Sequence, residues 1–286
     1  MAISAKDVKE LRDKTGAGMM DCKKALTEAD GDFEKAIEVL RKKGAAVAAK
    51  RADRSANEGI VITKVLDGGK TAIMVEVNCE TDFVAKSDDF VNFSEFVLKV
   101  IVENKPANIE ELLALVVDGK NVGEELTAIT GRIGEKIEIS RFIIETAENG
   151  VVVDYIHHGA KLGVLIKLEG DNSDELVALG KDFAMQVAAM NPPYVNKEAV
   201  PAEIVQKEIE LYKEIAKNEG KPEQILEKIA QGRLGKFYSE NCLVEQSSVK
   251  DNSKSVNDFV KEYNTKNSKE VSLVLFHRFH LSDENK

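Results

Sequence analysis

The sequence predicts an α+β protein with antiparallel sheets: a small three-helix amino-terminal domain, two related α+β core subdomains and an inserted antiparallel helical hairpin. Three observations carry that prediction. Apolar residues first recur at helical spacing, the period then drops to two around a turn on two separate occasions, and the strongest helical stripes of all come late in the chain.

Taken in order, Ser4 with Asp7 resembles a capping box, and Val8 and Leu11 follow at helical spacing. Thr15-Gly16-Ala17-Gly18 breaks that helix, residues 19–29 form the next, and Asp30-Gly31-Asp32 supplies a turn and a cap. Phe33, Ala36, Ile37 and Leu40 then mark one apolar face, which Gly44 is expected to stop. This unit is assigned to residues 1–54, its Ala-rich tail being a helical extension or linker. Arg41, Lys42, Lys43, Lys50, Arg51 and Arg54 stand against Asp53 alone. Such a stretch is either a solvated helix end, where cations suit the dipole, or a docking patch.

From Gly59 the residues alternate. Residues 60–66 and 72–77 flank Asp67-Gly68-Gly69-Lys70, a turn tolerant of positive φ, and so form a hairpin. Phe90, Phe93, Val97 and Val100 or Ile101 then mark a long amphipathic helix able to cover one sheet face. Shorter helical stretches (109–116 and 122–129) lead to a strand at 136–144, completing a subdomain over 55–145. Residues 146–286 repeat the order: strand-like 151–157 and 162–168 flank His158-Gly159-Ala160-Lys161, and a helix spans 174–190. The two subdomains are expected side by side. Within the second, Val205, Ile209, Tyr212 and Ala216 on one stripe and Ile225, Ile229 and Ala230 on another define a hairpin insert at 201–238. Gly220 lies just past its first helix and Pro222 opens the second. A short helix (256–263) and a strand (271–279) follow.

With 286 residues and 43% apolar content, the chain can bury a sizeable core. No apolar run approaches the ~20 residues of a membrane helix, and the amino terminus is polar and mixed in charge, unlike a targeting segment. A cytoplasmic protein without a membrane partner is expected. Cys22, Cys79 and Cys242 form no C-x-x-C pair and suit apolar packing in a reducing compartment. A formal net charge of −10 disfavours a direct nucleic-acid partner.

Catalysis needs titratable groups that converge, and the sequence offers no convincing set. His157 and His158 are adjacent, so on a strand they point to opposite faces, and His277 and His280 are likewise separated. Each is read as a hydrogen-bonded structural group or a partner contact. Gly16-Ala17-Gly18 follows a helix and lacks the third glycine of a dinucleotide loop. Glu76, Glu80 and Asp82 make a carboxylate cluster without a general-acid partner or metal-ligand spacing. No catalytic residue, metal or cofactor is therefore expected.

One segment is odd for a turn. In Asn78-Cys79-Glu80-Thr81-Asp82-Phe83-Val84-Ala85-Lys86 an aromatic and a valine follow an acid where a strand ends and a helix begins. Either Phe83 folds under the helix, gaining about 1.5–3 kcal/mol by burial, or it waits at the surface for a partner.

Leu11-Arg12, then Thr15-Gly16-Ala17-Gly18-Met19-Met20-Asp21-Cys22-Lys23-Lys24-Ala25-Leu26, then Thr81-Asp82-Phe83-Val84-Ala85 together resemble the elongation factor Ts family. The likeness continues through His157-His158-Gly159-Ala160-Lys161-Leu162-Gly163-Val164, Glu219-Gly220-Lys221-Pro222 and Gly232-Arg233-Leu234. The resemblance implies a ubiquitin-associated-like amino-terminal domain, a two-subdomain core with an inserted hairpin, and guanine nucleotide exchange on GDP-bound elongation factor Tu. It places Thr81, Asp82, Phe83 and Val84 beside the partner's switch II helix, where they disturb its magnesium site. It assigns Met19, Met20 and Lys23 to docking on the partner's nucleotide-binding domain, and either His157 or His158 to its other domains. The helical hairpin is a candidate homodimer surface. The sequence departs from the family pattern at Lys161-Leu162, in place of Arg-Ile, and at Ser247-Ser248, in place of Pro-Phe. It also ends soon after Arg278-Phe279, so a carboxyl-terminal helix contact with the partner is not expected.

Overall fold

In the computed structural model, which describes residues 3–283, Ser4 and Asp7 close a capping box at the start of α1 (Ala5–Thr15). Gly16 ends that helix in the left-handed region at φ 67°, a conformation glycine adopts without strain. Next come α2 (Met19–Glu28) and α3 (Phe33–Arg51). Val8, Leu11, Cys22, Ala25, Leu26 and Ala36 bury together between the three helices.

The core begins with β1 (Glu58–Leu66) and β2 (Thr71–Cys79), paired antiparallel from Glu58↔Cys79 to Leu66↔Thr71. Asp67, Gly68 and Gly69 all take positive φ in their turn, as the composition of that turn suggests. The chain then forms α4 (Asp82–Ala85), α5 (Asp88–Asn104), α6 (Ile109–Ala114), a minimal ribbon of β3 (Val116–Val117) and β4 (Lys120–Asn121), α7 (Val122–Ile133) and β5 (Ile137–Thr146). Strand β5 joins β2, giving the order β1-β2-β5. After β6 (Gly150–Ile156), β7 (Leu162–Glu169) and α8 (Asp174–Met190) come the hairpin helices α9 (Ala202–Asn218) and α10 (Glu223–Asn241), then α11 (Val256–Asn267) and β8 (Ser272–His280). The second sheet has the order β6-β7-β8.

Strand β2 explains how these layers assemble, because all nine of its residues are buried. Ile73, Val75 and Val77 pack with Phe90, Phe93 and Val97 of α5 and Ile129 of α7. Ala72 and Met74, on the opposite face, pack with Val61, Val152, Leu165 and Phe279. Val151, Val153, Val164 and Ile166 in turn face α8 and α11 through Leu176, Phe183 and Val260. The subdomains are therefore stacked sheet against sheet, with helices outside, instead of simply side by side. A strand apolar on both faces demands cover on both. Gly163 permits the close approach, since a Cβ there would sit 2.6 Å from Val61 Cγ1 and 2.9 Å from Met74 Sδ. Thr63 also donates across the stack to Asp154 at 2.6 Å.

Gly44 does not stop α3. The helix runs on to Arg51, with Gly44 buried against α7, where the missing side chain of Gly131 lets the two helix backbones meet. The basic stretch contributes to the same seam: Arg41 pairs with Glu124 at 3.1 Å, Arg51 with Glu80 at 3.0 Å, and Lys43 with Asp21 back on α2. All three thiols are buried, and burial pushes Cys79 up to about 12 and Cys242 up to about 11. Among the described residues no helix is long and apolar enough to cross a membrane.

Tyr263 of α11 donates its hydroxyl to Asp171, which holds that carboxyl down at about 2. The folded value lies below the unfolded one of about 3.9, so this stabilisation is complete above about pH 4 and is lost as pH falls toward 2. Tyr263→Phe should accordingly lower the melting temperature at about pH 6. The deficit should narrow in melts recorded toward about pH 3.

Candidate functional site

Strand β2 ends at Cys79, and Thr81 then caps α4, its hydroxyl accepting from Val84 N at 3.4 Å. This short helix turns Val84 and Ala85 inward to the α5 side of the core and Phe83 outward. Phe83 is 83% exposed, so the alternative in which it folds under the helix is excluded. Asp82 accepts from Lys86 Nζ at 2.7 Å, and that bond, with Lys161 beyond it, holds its carboxyl below the usual range and therefore charged.

The turn between β6 and β7 lies beside this tip. Lys161 pairs with Glu58 at 2.6 Å, directly across the ladder from Cys79, and Ala160 O accepts from Val61 N at 2.7 Å. His157 and His158 lie in that turn and not on a strand, because β6 ends at Ile156 and the chain reverses through positive φ at Gly159 and Ala160. Both histidines are exposed, and His157 Nδ1 sits 2.8 Å from the Tyr155 hydroxyl. Strand alternation therefore does not send them to opposite faces of the sheet.

Met19 and Met20 open α2 at 43% and 65% exposure, and Lys23 one turn later is also exposed. Just before them in the chain, Gly16 lies against Arg132, which pairs with Asp89 of α5 at 3.5 Å. Beside the contact of Gly44 with Gly131, a cleft of about 710 Å³ is lined by the amino-terminal helices on one side and by α5 and α7 on the other. Several of its charges pair within it, Lys43 with Asp21, Lys120 with Glu125 at 2.8 Å and Arg132 with Asp89 at 3.5 Å.

The carboxylates noted together in the sequence are dispersed: Glu76 pairs with Arg141 at 2.7 Å, Glu80 with Arg51, and Asp82 with Lys86. Among the described residues no group of three or more His, Cys, Asp or Glu is placed to hold a metal. Missed from the sequence was Glu135, whose carboxylate accepts from both Thr81 N and Thr81 Oγ1 at 3.1 and 2.9 Å. It stands 54 residues away from Thr81 and leaves no local signature.

The described residues thus form a stacked-sheet α+β core with a solvent-facing aromatic, Phe83, on a capped turn at its edge. Comparison with known proteins makes the class specific. A sequence model for the family described as Elongation factor TS matches residues 80–283. The chain is 49% identical over 286 residues to the elongation factor Ts of Chloroherpeton thalassium, covering 99% of both proteins. It is 46% identical over 283 residues to that of Chlorobium phaeobacteroides, covering 98% of each. With that of Clostridium botulinum strain Alaska E43 it shares 46% identity over 279 residues, 97% of this chain and 92% of the relative. The chain belongs to the elongation factor Ts family and is a translation elongation factor.

Proposed function

We propose that the chain is a guanine nucleotide exchange factor that binds elongation factor Tu in its GDP-bound form and speeds GDP release by inserting residues 81–84 and disturbing the partner's magnesium site. The observation that supports this reading best is Phe83, a large aromatic left in water on a capped turn whose neighbours Val84 and Ala85 are anchored in the core. Burying it in a partner would gain about 1.5–3 kcal/mol that the free protein forgoes.

No bond chemistry is needed. Magnesium demands a nearly octahedral oxygen shell, so a small displacement of its ligands loosens the nucleotide it bridges. Asp82, kept charged by Lys86, flanks the aromatic as the segment's polar handle. Met19, Met20 and Lys23 are assigned to docking on the nucleotide-binding domain, and His157 or His158 to the partner's other domains. Whatever factor the complex takes from nucleotide affinity, nucleotide takes equally from this chain's affinity, so incoming GTP helps displace it.

In this reading the chain works in the cytoplasm, without a catalytic residue, cofactor or metal of its own and without touching nucleic acid. The α9–α10 hairpin, which leaves Leu211, Ile215 and Ile225 exposed, is the candidate surface for a homodimer. The direct test is release of a fluorescent GDP analogue from elongation factor Tu. Adding the chain should raise the release rate with concentration until it saturates. A complex that forms while release stays at its spontaneous rate would reduce the chain to a scaffold and overturn the proposal.

A further inference from the structure

Beyond the last ladder pair, Cys79↔Ile137, strands β2 and β5 stay joined by side chains in place of backbone bonds. Glu135 accepts from Thr81 N and Thr81 Oγ1, and in return Glu80 Oε1 accepts from Lys136 N at 2.7 Å. Each chain thus lends a carboxylate to the other's main chain, a reciprocal clasp. Arg51, the last residue of α3, closes it from outside by donating to both oxygens of Glu80 at 3.2 and 3.0 Å.

This clasp governs the tip. A Thr hydroxyl has one proton, and Thr81 places it on Glu135, so its lone pairs are left to cap Val84 N. The Thr81 carbonyl is held as well, accepting from Cys79 Sγ at 3.2 Å and from Ala85 N at 3.2 Å. The Cys79 thiol, pushed up to about 12 by burial, keeps its proton for that bond. Four residues of helix cannot hold their own shape, and Phe83 has little packing to fix it. The direction in which it points is inherited from Thr81.

We infer that Glu135 is a positioning residue: by fixing Thr81 at two donors it presents Phe83 to the partner in one orientation before contact. The assignment rests on the exchange reading above. Glu135 also follows α7 directly, after Gly134 at φ 82°, and α7 carries the amino-terminal helices on its other side. The clasp therefore ties the tip to the helix on which α3 packs, and α3 in turn packs against α2, the helix of Met19, Met20 and Lys23.

Loosening the clasp shifts the ordering of the tip from folding to binding, which weakens recognition without removing a contact. The test is a double-mutant cycle on full-length chain, read as kcat/KM for GDP release from elongation factor Tu, with a melting curve for each variant. Glu135→Ala should reduce kcat/KM about tenfold when Phe83 is present and leave the residual activity of Phe83→Ala unchanged. Thr81→Val, which removes only the hydroxyl, should reproduce the loss in part, and Thr81→Ser should restore it. These two report on the clasp from its other side should Glu135→Ala fold poorly. An equal loss with and without Phe83, or full activity in both Glu135→Ala and Thr81→Val, overturns the inference. Failure of the exchange reading looks different, since there wild-type chain leaves GDP release unaltered or Phe83→Ala performs as well as wild type.

Discussion

Phe83→Ala is expected to lower the rate of GDP release about 30-fold or more at subsaturating chain, while the melting temperature of the free protein stays where it is. The two halves of that result have separate causes. Truncating an aromatic anchor in a desolvated interface costs about 2 kcal/mol or more, which is about 30-fold in an equilibrium or a second-order rate. The same truncation in the free protein removes little, because 83% of the residue's surface is already in water. Val84, its neighbour, makes the internal control. It packs half-buried on the α5 side of the core, so Val84→Ala should lower the melting temperature. A Phe83→Ala protein that melts early but exchanges normally would place the side chain in the wrong role.

How much of this was legible before the structure follows from the range over which each signal acts. Caps and periodicity are local, and they placed α8 at 174–190, bounded by Ser173 and by the left-handed Asn191, to the residue. The hairpin turn at Asp67-Gly68-Gly69 was legible for the same reason. Gly44 misled because its local meaning, a helix stop, was overridden by a neighbour 87 positions along the chain, Gly131. His157 was misplaced by one residue of strand length, enough to void an argument from alternating faces. At the tip, the Thr81 cap lies within three residues of its donor, the Val84 N–H, and could be anticipated, whereas Glu135, Arg51 and Lys161 reach it only through folding. Residue types identify a tip of this kind; they do not disclose what braces it.

The seam between α3 and α7 allows a prediction in which two glycines in contact behave in opposite ways. A Cβ built on Gly131 would lie 2.3 Å from Gly44 Cα and 3.2 Å from Gly44 C, and helix backbone cannot rotate aside as a side chain can. A Cβ built on Gly44 would meet Gly131 Cα and Thr127 O at 3.7 Å, an ordinary contact. Alanine is favoured over glycine inside a helix by about 1 kcal/mol, so Gly44→Ala should be neutral or raise the melting temperature. Gly131→Ala gains the same propensity but must part the helices, and overpacking of this kind costs about 1–3 kcal/mol, so its melting temperature should fall. Because α3 leads the amino-terminal helices onto the core here, the loss should be local to that junction. Hydrogen exchange should speed up in α3 and α7 of Gly131→Ala while β6 and β7 keep their protection. Equal behaviour of the two variants, in either direction, would mean that the helices do not cross with Gly131 facing the Gly44 backbone.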